Sequence, residues 1–141
     1  MAVYRTELLE ATLERLVNQL EHVHGAVIVS IEGFVVAAHT VKNSGNGYDE
    51  KATDSPQVAA MAATLLALSE RTLERLAQGT LSRLLLEGEK GAMLVVPASS
   101  RAAVALMVSS QAKMGLSLYA LRRTAAEIKD ILEGEVSVSD E

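Results

Sequence analysis

The sequence has no cysteine, no tryptophan, two prolines, three tyrosines and one phenylalanine among 141 residues. Without cysteine there is no disulfide scaffold, thiolate zinc site, iron–sulfur cluster or cysteine nucleophile. The aromatics Tyr4, Phe34, Tyr48 and Tyr119 are too few and too scattered to form a stacking platform for bases. Positive charge is also short: 13 Lys and Arg against 18 Asp and Glu leave a net charge of -5, the wrong sign for attracting a phosphate backbone. No nucleic-acid partner is expected. The longest nearly apolar run, residues 58–68, is interrupted by Thr64 and falls short of the roughly 18 to 20 residues that span a bilayer, so no membrane insertion is expected. Arg5, Glu7, Glu10, Glu14 and Arg15 stand where a signal peptide needs an apolar block, which implies a cytoplasmic address.

What is present suits one hydrophobic core. With 49% apolar and 22% charged residues the chain can bury an interior, and its length allows one domain, expected over residues 1–133 with a short acidic frayed tail at 134–141. From residue 4 to 23, Leu9, Leu13, Leu16, Val17 and Leu20 recur at helical steps and predict the first helix. Residues 25–31 and 34–40 are β-branched runs split by Glu32-Gly33, the signature of a hairpin. Residues 41–54 lack an apolar period and read as a long flexible loop. Ser55-Pro56 offers an N-cap and a first-turn proline for a second helix over 56–78. Strands are predicted at 80–87, 92–96 and 102–109, and a last helix at 114–132.

The second helix carries more apolar surface than one neighbour needs. At about 100° per residue its apolar positions sweep roughly 180°, whereas a helix on one sheet needs a stripe of roughly 100°. A second copy of the same helix across a two-fold axis is the simplest cover.

Catalytic equipment is hard to find. The glycines Gly45 and Gly47 lack the lysine of a phosphate loop, and Glu50 stands where a dinucleotide fingerprint needs its third glycine. His22, His24 and His39 are the only histidines, and Asp49, Glu50 and Asp54 lack the spacing of a calcium loop. No serine sits in a nucleophile elbow. The expectation is a protein that is not an enzyme, with no catalytic residue, no metal site and no cofactor.

The order helix, two strands, helix, three strands, helix is α+β. Together with residues 25–37, the Ala-rich second helix, Gly91-Ala-Met-Leu-Val-Val-Pro97 and Met114-Gly115-Leu116, it resembles the roadblock/dynein light chain family, although Glu32 stands where that family more often has Asp. The resemblance covers residues 4–133 and implies a profilin-like or longin-like five-stranded antiparallel sheet flanked by helices, order α-β-β-α-β-β-β-α. It further implies a non-catalytic homodimer that regulates or scaffolds a small Ras-like GTPase, similar to bacterial polarity and gliding regulators. The dimer interface is expected at Ala59, Ala62, Leu65, Leu66, Leu73, Ser82 and Leu84. The alternative is a small-molecule sensor or small enzyme with a pocket between sheet and helices, lidded by the His22/His24 end or by the long loop.

Overall fold

The structure, a computed structural model, describes residues 2–45 and 47–139. Its elements run α1 (Ala2–Asn18), β1 (Val23–Ser30), β2 (Val35–Thr40), a short 3-10 helix (Glu50–Ala52), α2 (Pro56–Arg75), β3 (Leu84–Glu87), β4 (Gly91–Pro97), β5 (Ala102–Ser109) and α3 (Met114–Ser139). The five strands form one antiparallel sheet in the order β2-β1-β5-β4-β3. This is the predicted α-β-β-α-β-β-β-α order, with α2 carrying the chain from one sheet edge to the other.

Alternation along the central strands divides the interior in two. Ala26, Ile28, Leu94, Val104 and Leu106 point to the side of α1 and α3, where Leu9, Leu13, Leu16, Leu121 and Ile128 close the larger core. Val27, Val29, Val95, Ala103 and Ala105 point to the other side and meet Ala59, Ala62 and Leu66 of α2. Both faces of β1 and β5 are thus covered, which is why these strands read as continuous apolar runs.

Element ends differ from the sequence reading for identifiable reasons. α1 stops at Asn18, not residue 23, and the chain reverses at His22 in the left-handed region (φ 64) so that Val23 already pairs with β5. Although α2 begins as predicted, with Ser55 Oγ accepting from the amides of Gln57 and Val58, it ends at Arg75. There Ala77 takes the left-handed turn (φ 55) and the Gln78 amide reaches back to the Leu73 carbonyl at 2.9 Å, a C-cap normally built on glycine. β3 begins only at Leu84, because Leu84 pairs with Val95 and, two steps earlier, Ser82 would face Pro97, which has no N–H to give. α3 continues to Ser139, through the segment expected as a frayed tail, since Gly134 alone does not break a helix. Asp140 and Glu141 of that tail, and Asn46 of the loop, lie outside the described residues.

Candidate interaction surface

The rotation of α2 on the sheet is set by small residues. Ala59, Ala62 and Ala63 are buried, and the turn after β1 approaches so closely that a Cβ on Gly33 would lie 3.1 Å from the Ala60 Cα. Gly33, at φ +95, supplies both the turn and the clearance. With Ala60 held against the β1–β2 turn and Ala59, Ala62 and Leu66 on the sheet, the helical period turns Met61, Leu68 and Leu76 away from the buried face. Met61, Leu68 and Leu76 are 63%, 53% and 61% exposed.

Part of the sheet is also uncovered. Leu84 and Leu86 of β3 face the α2 side with Met93 of β4; Leu84 and Met93 are half-buried and Leu86 is exposed. β3 pairs with β4 alone, so its outer edge presents free backbone N–H and C=O groups. An oily helix surface, an oily strip of sheet and an open strand edge are all left uncovered.

The seven residues expected at the interface divide accordingly. Ala59, Ala62 and Leu66 are buried against their own sheet in the single subunit. Leu65 and Leu73 are half-buried on α2. Leu84 opens the free strand, and Ser82 is exposed just before it, where its Oγ accepts from Arg122 at 2.8 Å. Met61, Leu68, Leu76 and Leu86, which that expectation does not include, are exposed apolar side chains. The first three belonged to the apolar sweep of the helix, but its period cannot tell which half of a wide stripe lies on the sheet.

The loop at 41–54 is tied down, contrary to the flexible segment expected. The Tyr48 ring stacks on His24 with centroids 4.2 Å apart and planes 4° apart. His24 Nδ1 and Ser44 Oγ are 2.5 Å apart, Tyr48 Oη shares a hydrogen bond with Thr53 Oγ1 at 2.9 Å, and the Asn43 amide donates to Glu50 Oε2. Thr53 is buried against Gly25, where a Cβ would come within 2.8 Å of the threonine side chain. Burial pushes the His24 imidazole below its ordinary 6.5. It pushes the Tyr48 phenol up, the Thr53 hydrogen bond opposing and the Asp49 charge adding. A groove of about 550 Å³ borders this cluster, walled by Met93, Met107 and Lys90. His22 is exposed and His39 half-buried on β2, so the three histidines do not converge.

Among the described residues no group of three His, Asp or Glu side chains could hold a metal ion, and no helix is long and apolar enough to cross a membrane.

Comparison with known proteins places this geometry. The model of the Roadblock/LC7 domain matches residues 9–108. The uncharacterized protein MJ1340 of Methanocaldococcus jannaschii is 30% identical over 112 residues, 79% of this chain and 90% of that protein. Among solved structures, a Roadblock/LC7 domain from Streptomyces avermitilis superposes with a TM-score of 0.75 at 22% identity, covering 88% of this chain and 97% of the other. The gliding protein MglB from Thermus thermophilus gives 0.80 at 18% identity, covering 92% of each.

Proposed function

The chain belongs to the Roadblock/LC7 domain family, and from that premise we propose that it is a non-catalytic homodimer that binds a small Ras-like GTPase and regulates its nucleotide cycle or its placement in the cytoplasm. The observation that carries this reading is that one subunit leaves uncovered the apolar side chains Met61, Leu68 and Leu76 of α2, Leu86 of β3 and the open edge of β3. A second copy related by a two-fold axis covers all three features at once: the flank packs on its twin, the strip of sheet is sealed, and paired β3 strands satisfy each other's backbone. The GTPase is the partner implied by the family resemblance, and structural likeness to MglB supports a regulator of this general kind.

Regulation by a protein without catalytic groups requires unequal affinity for two states of its partner. A dimer does this by holding the GTPase switch loops in one arrangement; no side chain needs to enter the reaction.

Two measurements test the proposal. Light scattering across a dilution series should give twice the 15.0 kDa chain mass. GTPases co-purified from the source cell should change their turnover or nucleotide exchange when the protein is added. A monomer at every dose sinks the dimer, and unaltered GTPase cycling and placement sink the regulator. The alternative ligand sensor has the groove beside His24 and Tyr48 as its natural seat, and it would show itself as a rise in melting temperature with a metabolite.

A further inference from the structure

The two faces of β3 meet different surroundings. Leu84 and Leu86 lie on the α2 side, whereas Leu85 and Glu87 oppose Leu94 and Ala92, which face α1 and α3. On this second face α3 packs on β4 and β5, and Leu85 is left 48% exposed. The flank of α3 that overlooks the segment entering β3 carries Arg122, Lys129 and Glu133. Arg122 donates to Ser82 Oγ at 2.8 Å, and Arg122 and Lys129 line a groove of about 540 Å³ between α3 and the segment entering β3.

Pairing of β3 with its twin turns this half-groove into a channel. With strands about 4.8 Å apart, two α3 helices that each sit between β4 and β5 are separated by roughly 20 Å across the axis. Subtracting helices about 10 Å in diameter leaves room for one more helix. Its floor would be the two Leu85 side chains. An antiparallel pairing sets the Arg122 and Lys129 of the two copies at opposite ends. Glu87 closes the strand and Glu133 lies one turn beyond Lys129, so a guest's carboxylates are best placed on Arg122 and Lys129 and not past them.

We infer that this channel, on the face opposite the paired α2 helices, receives an amphipathic helix of a partner protein with an apolar stripe and acidic flanks. The inference rests on the homodimer reading, and it assigns the dimer a second docking surface built from residues of both copies. The stripe buries the Leu85 pair, and the flanking carboxylates meet Arg122 and Lys129.

The test uses a fluorescein-labelled helical peptide with leucines on one stripe and glutamates elsewhere, and a twin in which lysines replace the glutamates. Anisotropy titrations are run on full-length protein whose mass is measured in the same samples. The glutamate peptide is expected to bind saturably and the lysine peptide not. Arg122→Glu with Lys129→Glu should weaken binding at least about tenfold, and Leu85→Ser should weaken it too, with dimer mass and melting temperature unchanged; raising salt toward 1 M, where the screening length is about 3 Å, should weaken it further. A proven dimer that ignores the glutamate peptide, takes both peptides equally or is indifferent to the charge reversal overturns the inference. So does a silent titration with tetramers that vanish on charge reversal, since a second dimer then fills the channel. A monomer at all doses removes the homodimer reading before any peptide is added, and this inference with it.

Discussion

The ring of His24, on β1, lies parallel to that of Tyr48 at 4.2 Å, and through this contact a loop without any apolar period is fastened to the sheet. Burial disfavours the charged imidazole, so the unfolded chain binds a proton at this position more readily than the folded one. Stability from His24 is therefore complete above the ordinary pKa of 6.5 and is lost as pH falls below it toward the lowered folded value. Melting temperature measured from pH 7.5 to 5.5 should fall with acid, and His24→Phe, which keeps a stacked ring that cannot titrate, should flatten the slope. His22 and His39 remain in both proteins, so equal slopes would rule out His24 as the source.

Removing the other ring should free the loop and leave the domain folded. Tyr48→Ala loses the stack and the Thr53 hydrogen bond, an expected cost of about 1 to 3 kcal/mol. Hydrogen exchange should quicken at the amides of Asn43 and Ala52, which bond to Glu50 Oε2 and the Asp49 carbonyl, while the amide of Leu66 in α2 stays protected. Uniform quickening of loop and helix would mean that the loop is not an independent unit.

Two positions with positive φ should respond in opposite directions. Ala77 ends α2 at φ 55 and Gly33 turns the first hairpin at φ 95. Ala77→Gly should stabilise by roughly 0.5 to 1 kcal/mol, the relief of left-handed strain exceeding the added freedom of the unfolded chain. Gly33→Ala should cost about 1 to 3 kcal/mol, because the new Cβ suffers both the φ and the Ala60 backbone at 3.1 Å. Urea unfolding of the two variants decides; a destabilised Ala77→Gly would show that the cap is held by something other than backbone preference.

These cases also mark where the sequence was legible. Ser55-Pro56 announces α2 because an N-cap and a first-turn proline act within one turn, and the structure uses both. The end of the same helix is not announced, since Ala77 adopts a conformation that alanine does not advertise. Likewise the short β3 depends on Pro97 of the next strand, a partner that local pattern cannot identify. The fastening of residues 41–54 depends on His24 and Thr53, groups distant in sequence or polar, whereas hydrophobic periodicity sees neither. The five-stranded α+β fold was readable because the apolar strand runs and helix periods are long. The candidate interaction surface was readable only to the helix and not to its flank.

That flank decides the last prediction. Leu66 and Leu68 are two residues apart on α2, yet one is 7% exposed against the sheet and the other 53% exposed on the side turned away from it. Leu66→Glu forces an unpaired carboxylate into the core, which costs several kcal/mol and should unfold the monomer instead of merely separating two copies. Leu68→Glu adds a charge to a surface that a lone subunit keeps in water, so its cost should fall on association alone: a monomer by light scattering, with circular dichroism unchanged. Met61→Glu should behave like Leu68→Glu, and combining either with Leu86→Glu should leave no dimer at any accessible dose. If Leu68→Glu stays dimeric while Ala67→Glu, on the side of the same helix that borders Ser30 and Ile31, breaks the assembly, then the copies meet through the flank that faces the β1–β2 turn and the β3 edges do not pair.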